Sequence, residues 1–321
     1  MMWNSERIDD ALLARLPDAD RATLKWVAQV REFAALELAL EPGDSYTTYY
    51  DTGGRAITTV VVAAHPLALV PYQWRFPIAG QVPYLGYFDP TAAQAQRDRL
   101  AKEGWDTALV PASAFSTLGW IDDPVLSTML RQSRAELADL LIHEITHRTV
   151  YFPGDTELNE NLASHIAREG TQILFAREKS GEQGAVARME ASGRREKLRD
   201  ALLDRLVADL DALYRTPLPD PQKMARKREL FAATNRALRV GNLGGEIPVS
   251  NAAVVLHHTY AGLGHDFARA QAALGGHPRD LVRAMKRALE ADEPLEAARA
   301  LLDPRPTQDR QGKIEQTPGK Q

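Results

Sequence analysis

Two histidines four residues apart, His143 and His147, enclose Glu144 in the pattern His-Glu-x-x-His. In a helix, a spacing of four places both imidazoles on one face, about one turn apart, so that they can bind one metal ion. Glu144 would then lie near the open coordination position of that ion. There a carboxylate can take a proton from water and pass it to a leaving amine. The pattern therefore predicts a zinc hydrolase, and the alternative is an ordinary helix that contains two histidines.

The motif is predicted to lie in a helix that begins at Ser133 and ends near Val150. Ser133 and Glu136 have the spacing of a capping box, in which each side chain satisfies a backbone N–H of the first turn. Apolar residues then recur at helical intervals, at Leu137, Leu140, Leu141 and Ile145. An earlier helix start is predicted at Asp123-Pro124, because proline suits the first helical position after an N-cap.

A catalytic zinc also needs a third protein ligand and keeps its fourth position open. The candidates that follow the motif are Asp155, Glu157, Glu160 and His165. Glu160 is best placed, because a tight Pro153-Gly154 turn would set two helices antiparallel with Glu160 one turn into the second. Small residues after it, at Ala163, Ser164 and Ala167, would let the helices approach closely. His165 is the rival, on a different face of the helix, and the alternative for Glu160 is a surface carboxylate.

The composition restricts the chemistry further. Cysteine is absent, so thiolate ligands, cysteine nucleophiles and disulfides are excluded, and a metal must be bound by carboxylates and the 8 histidines. Hydrophobic residues make up 44% and charged residues 26%, as in a globular protein with a core. A net charge of -4 gives no reason to expect nucleic acid as a partner. No apolar run approaches the roughly 20 residues of a transmembrane segment.

The rest of the chain predicts a helix-rich α+β fold. Predicted elements are a helix at 19–40, strands at 56–64 and 107–111, short strands within 65–89, helices at 91–102 and 157–179, a hairpin of two long helices at 182–241, and two or three helices at 250–301. We expect a small sheet from residues 55–120 to lie against the His143 helix, with the helical C-terminal half closing the cleft. The predicted domains are 1–180 and 181–302, followed by a disordered tail at 303–321.

Other residues are candidates for contact with a substrate. Tyr260, and less so His257, could donate a hydrogen bond to the oxyanion that forms during peptide hydrolysis. Thr117, Leu118 and Gly119 could pair with the substrate backbone as an edge strand, with the glycine permitting close approach. Either Glu157 or Asp155 could bind the α-amine of a substrate. The alternatives are helix packing for Tyr260, an ordinary core strand for 117–119, and capping or surface roles for the two carboxylates.

Several blocks of the sequence resemble, in order, a known family, the putative aminopeptidases of bacterial envelopes, which are zincin-like. That family has a His-Glu-x-x-His helix followed by an Asn-Glu-x-x-Ala helix. The matching blocks here are residues 143–147, 159–163, the linker 151–156, and the upstream segments 76–80, 83–89, 116–120 and 123–126. Downstream, Asn251-Ala252 and Tyr260 match, whereas Ser250 replaces an asparagine of the family pattern.

The resemblance implies a zincin-like fold, a zinc ion, peptidase activity usually described as aminopeptidase, and Glu160 as the third ligand. It also implies a location in the cell envelope or periplasm, since many members resemble exported lipoproteins. The acidic N-terminus here shows no export signal, so a native N-terminus would predict a cytoplasmic protein.

Together these observations predict a zinc-dependent peptidase, an aminopeptidase by resemblance, that binds Zn²⁺ through His143, His147 and Glu160. Glu144 is the predicted general base, and a peptide is the predicted partner. One alternative is a metal-stabilised peptide-binding or scaffold protein without catalysis, for which Glu144 would be unnecessary. Another is a zinc hydrolase that acts on a non-peptide amide.

Overall fold

A computed structural model describes residues 5–53, 58–76, 80–87, 89–112, 122–177, 183–261 and 263–303. Helices dominate these ranges. They are α1 (Asp10–Arg15), α2 (Asp18–Leu38), α3 (Pro90–Lys102), α4 (Arg134–Thr149), α5 (Thr156–Arg177), α6 (Gln183–Tyr214), α7 (Asp220–Val240), α8 (Asn251–Ala261), α9 (Gly264–Ala273), α10 (Pro278–Leu289) and α11 (Pro294–Leu302). The predicted helix-rich α+β class is confirmed.

The strands are short and form small sheets. They are β1 (Glu6–Arg7), β2 (Thr48–Tyr50), β3 (Thr58–Ala64), β4 (Trp74–Phe76), β5 (Gly80–Val82), β6 (Tyr84–Tyr87), β7 (Asp106–Ala112) and β8 (Val125–Leu126). Sheet order is β6-β3-β7, antiparallel throughout, with further sheets β1-β2-β8 and β4-β5. The strands predicted at 56–64 and 107–111 thus correspond to β3 and β7.

Strand β3 is apolar on both faces, and each face is covered by a helix. Val61 and Ala63 pack with Leu100 of α3, whereas Val62 and Ala64 pack with residues of α8. Successive side chains of a strand point to opposite faces, so an all-apolar strand needs cover on both sides. We expected the sheet to lie against the His143 helix, but α3 and α8 take those positions, and α4 packs mainly on α5 and α2.

The core of the molecule lies between α2, α4 and α5. Fully buried residues of these helices include Val30, Leu141 and Ile166. Gly170 of α5 makes the close approach possible, because a Cβ at this position would lie 2.6 Å from Leu38 Cδ1 of α2. At the start of α4, the Trp26 indole N–H donates to the Arg134 carbonyl at 3.0 Å. These contacts fix the helix that carries the His-Glu-x-x-His motif.

The helix start predicted at Asp123-Pro124 was wrong. Val125–Leu126 instead forms β8, which pairs in parallel with Tyr49–Tyr50 of β2, and a 3-10 turn follows at Met129–Arg131. The backbone N–H of Tyr46 donates to the Asp123 carbonyl at 2.6 Å and extends this link. Pairing with a distant segment therefore outweighs the local capping signal.

The helical hairpin predicted at 182–241 corresponds to α6 and α7, which pack on each other. The following region was expected to hold two or three helices, but its described part forms α8 to α11. Within it, Gly275 and Gly276 both have positive φ, and His277 caps α10 ahead of Pro278. None of the described helices is long and apolar enough to cross a membrane. The domain division at 180/181 stays a prediction, and the tail at 304–321 lies outside the described residues.

Candidate metal centre

Helix α4 places the two histidines of the motif side by side. The helix begins with the predicted capping box, since Ser133 Oγ accepts from the Glu136 N–H while the Glu136 carboxylate accepts from the Ser133 N–H. One turn separates His143 from His147, and their Nε2 atoms lie 3.1 Å apart. The imidazoles therefore converge from one helix face, as the spacing of four requires.

The turn between α4 and α5 brings Glu160 to the histidines. Gly154 has a φ of +87°, which favours glycine, and the Asn159 amide bonds both the N–H and the carbonyl of Phe152 at 2.8 Å. These two hydrogen bonds hold the turn against the first part of α5. Glu160 Oε2 consequently lies 3.2 Å from His143 Nε2 and 3.4 Å from His147 Nε2.

The three donor atoms form a triangle of the size that a zinc ion requires. Its sides are 3.1, 3.2 and 3.4 Å. Ligand bonds of about 2.1 Å at a tetrahedral angle place neighbouring donors about 3.4 Å apart. Two imidazole nitrogens and one carboxylate oxygen are also a donor set that zinc favours. The residues present therefore fit a metal ion with three protein ligands.

The charges of His143 and Glu160 each shift the pKa of the other residue. Burial alone would lower the pKa of His143, but the hydrogen bond to Glu160 and the charges of Glu144 and Glu160 raise it to about 9. Burial alone would raise the pKa of Glu160, but the facing imidazoles hold it far below its usual range. Glu160 is therefore an anion that needs a nearby positive charge, which a proton or a metal ion can supply.

Tyr84 orients the carboxylate of Glu160. Its hydroxyl, from strand β6, donates to Glu160 Oε1 at 2.9 Å, so that Oε2 is the oxygen left facing the histidines. Partners of this kind fix the orientation of metal ligands. Sequence reasoning missed this role of Tyr84. The residue falls in the matched segment 83–89, but only the fold shows that β6 passes beside α5.

Glu144 has a carboxylate oxygen that no described residue satisfies. Its Oε2 is buried and makes no hydrogen bond within the described part of the chain. Burial, and to a lesser extent the charge of Glu144, raises the pKa of Tyr46 well above its ordinary value. An unpaired buried carboxylate oxygen costs free energy, and such costs are typical of functional sites.

Other predicted residues lie elsewhere. The His165 Nε2 is 2.8 Å from Gln271 Oε1, and its ring stacks on Phe267 of α9, away from the donor triangle. His257 faces Asp204 and Asp200 of α6, at 3.5 and 3.8 Å.

The other candidate residues for substrate contact were Asp155, Tyr260 and residues 117–119. Asp155 caps α5 through the Leu158 N–H and pairs with Arg299. Tyr260 belongs to α8, but its side chain lies outside the described structure, as do Thr117, Leu118 and Gly119 entirely.

Comparison with known proteins adds one finding. No curated protein and no solved structure matches this sequence. A family model with the description "putative aminopeptidase" matches residues 1–301 of the 321. That match includes α4 and α5 and thus every residue of the donor triangle. On this evidence, the chain belongs to the putative aminopeptidase family.

Proposed function

We propose that this protein is a zinc-dependent peptidase in which His143, His147 and Glu160 bind the metal and Glu144 acts as general base. The observation that carries the proposal is the donor triangle, together with the buried Oε2 of the neighbouring Glu144, which no described residue satisfies. The family description implies cleavage at peptide N-termini, whereas the zinc chemistry alone would serve any peptide bond.

Zinc is proposed on the chemistry of the donors. Two imidazoles and one carboxylate, with no cysteine in the chain, are the ligands of catalytic zinc sites that keep one position open. When bound, the ion acts as a Lewis acid that makes water a nucleophile near neutral pH and polarises the scissile carbonyl. Tyr84 keeps the Glu160 carboxylate turned toward the histidines throughout.

Glu144 moves the protons. Its charge lies close enough to His143 to raise the pKa of that imidazole. Its Oε2, which has no hydrogen-bond partner among the described residues, can accept the proton of the attacking water. The same oxygen can then deliver the proton to the leaving amine, so that a single residue serves both steps. For the oxyanion we propose Tyr260 on α8, a helix that packs on α5. Residues Thr117 to Gly119 are proposed to pair with the substrate backbone.

The principal alternative is a scaffold protein in which the metal only stabilises the helix pair. Glu144 Oε2, which is buried and has no partner within the described part of the chain, favours catalysis, because a structural site needs no such carboxylate. An envelope location, which the sequence resemblance implies, stays a prediction that cell fractionation would test.

The test is Glu144→Gln, which removes the base and preserves the shape of the side chain. We expect zinc content to stay at one ion per chain while peptide hydrolysis falls about a thousandfold, within the range for loss of a general base. Glu32→Gln, at an exposed carboxylate on α2, is the matched control and should keep the activity of the parent. Hydrolysis by Glu144→Gln at the parental rate would contradict the mechanism.

A further inference from the structure

A cavity of about 360 Å³ lies between the first turn of α5 and a face of α8. Its apolar walls are Leu69, Val207, Val254 and Val255, from a loop, α6 and α8. The volume is at the lower end of the range for small-ligand sites, about 300–1,000 Å³. A single amino-acid residue is an occupant of suitable size and character.

The cavity shares helix α5 with the donor triangle. Glu157 lines it, and Glu160, the proposed metal ligand, follows three positions later on the same helix. Residues at that spacing are surface neighbours, with Cβ atoms about 5–6 Å apart. On the opposite side, Pro83 lines the cavity and precedes Tyr84, whose hydroxyl bonds Glu160. The two sites thus share α5 and the start of β6.

The charge at this end of the cavity is negative. Of the described residues that line it, Asp155 and Glu157 are the charged ones. Arg299 donates two hydrogen bonds to Asp155 Oδ2, at 2.6 and 2.9 Å, and lies 3.6 Å from Glu157 Oε2. One guanidinium therefore faces two carboxylates. Because Asp155 also caps α5, Glu157 is the carboxylate better placed to meet a cation.

We propose that this cavity binds the N-terminal residue of a peptide substrate, with Glu157 binding the α-ammonium group and the valines enclosing an apolar side chain. The inference rests on the proposed function and names its substrate class, peptides with a free amine and an apolar first residue. In such a peptide only the α-carbon separates the amine from the scissile carbonyl. An amine-binding group must therefore lie close to the metal, and Glu157 is one helical turn from Glu160.

A peptide C-terminus is the rival occupant. Helix N-termini attract anions, and the first turn of α5 lines the cavity. Here, however, Asp155 already occupies one of the free N–H groups, and Glu157 adds a second negative charge. A substrate carboxylate would meet both of them, whereas an ammonium group would be attracted.

Binding tests the assignment without requiring turnover. Leucinol carries the amine and the side chain but no amide bond, and N-acetyl-leucinol lacks the charge. By calorimetric titration we expect leucinol to bind the zinc-loaded protein about tenfold tighter than its acetylated form, as expected for a hydrogen bond to a charged group. Glu157→Gln should remove this difference, and Glu32→Gln should retain it. Equal binding of the two compounds to the parent, or an unchanged difference in Glu157→Gln, would overturn the proposal.

Kinetics then separate this proposal from the proposed function. With peptides of free N-terminus, Glu157→Gln should raise KM about tenfold, and Val207→Phe should shift preference from leucine to alanine at the first position about tenfold. Glu144-dependent hydrolysis of N-acetylated peptides as fast as free ones would overturn the cavity assignment and leave the peptidase standing. No hydrolysis of any peptide would overturn the peptidase, and the titration would still decide the cavity.

Discussion

The metal centre and a second buried cluster, around Lys227, both place charged groups in the protein interior. In the Lys227 cluster, the side chain of Lys227 is 1% exposed, and its ammonium group pairs with Asp106 and the Pro66 carbonyl. Asp106 also accepts from the Asn251 N–H at 2.7 Å, and the Asn251 side-chain oxygen accepts from the Tyr214 hydroxyl at 2.8 Å. The Asn251 amide nitrogen donates to backbone carbonyls of the 65–68 loop. Every side chain of this cluster thus has a partner.

The metal centre differs in leaving atoms unpaired. Within the described residues, neither Glu144 Oε2 nor His147 Nδ1 has a hydrogen-bond partner, although both are buried. The Lys227 cluster connects α6, α7 and α8 to the sheet, so its pairing serves the fold. The unpaired atoms of the metal centre cost free energy without holding any element together. This difference supports the proposal that the Lys227 cluster serves stability and the donor triangle with Glu144 serves chemistry.

The largest effect is expected from a substitution of Glu160, and it should appear in zinc affinity. Glu160→Gln keeps the size of the side chain but removes the charge of a proposed metal ligand. We expect zinc affinity to fall about a thousandfold, because one ligand of three contributes about a third of a typical zinc-binding free energy. Competition titration with a chromophoric chelator measures the change. Binding within a factor of three of the parent would remove Glu160 from the metal site.

The next largest effect is expected in the Lys227 cluster, and it should appear in stability. Lys227→Ala leaves the Asp106 carboxylate without its main partner, which we expect to lower the free energy of unfolding by about 3 kcal/mol. Urea unfolding measures this, and Lys25→Ala, at an exposed position of α2, is the control with little expected change. A loss below about 1 kcal/mol would show that the cluster does not stabilise the fold as described.

Tyr84→Phe removes a hydrogen-bond partner from Glu160 and leaves the Lys227 cluster unchanged. The Glu160 carboxylate would lose its orienting hydrogen bond, so zinc affinity should fall about 10- to 100-fold. The free energy of unfolding of the metal-free protein should change by less than about 1.5 kcal/mol. A mainly structural Tyr84 would give the reverse, lower stability with unchanged zinc affinity.

The smallest predicted effect is a pH dependence of the Lys227 cluster. Burial raises the pKa of Tyr214 to about 12, from an ordinary value near 10. A raised pKa in the folded state means that its contribution to stability is complete below pH 10 and is lost as the pH rises through about 12. Because Tyr214 is partly exposed, we expect a loss of about 1–2 kcal/mol.

Comparison with Tyr214→Phe isolates that contribution. The variant has no phenol to ionise, so the extra loss of stability between pH 10 and 12 should be absent from its urea unfolding curves. Equal slopes in the parent and the variant over this interval would show that Tyr214 ionises as readily in the folded state as in the unfolded state.

Local signals account for what could be predicted from sequence. The capping box at Ser133 and the spacing of His143 and His147 are short-range features, and both appear in α4. Glu160 could be placed because a short turn leaves little freedom between two consecutive helices. The strand β3 followed from its run of β-branched residues.

Features that depend on distant segments could not be predicted. Asp123-Pro124 carries a local helix signal, but β2 recruits the next residues into a strand. The position of α8 on the sheet and the bond from Tyr84 to Glu160 join residues far apart in the chain. In α2, Phe33 and Leu36 continue one run of apolar residues at three-residue steps, but Phe33 is buried whereas Leu36 is 66% exposed.

If His143, His147 and Glu160 bind one metal ion, anomalous scattering will locate that ion between their three donor atoms. A crystal of the protein purified with zinc, measured on both sides of the zinc absorption edge, should show a single strong anomalous peak. We expect this peak to lie about 2.0–2.2 Å from His143 Nε2, His147 Nε2 and a Glu160 oxygen. A peak at any other set of side chains, or none at this triangle in a zinc-containing protein, would contradict it.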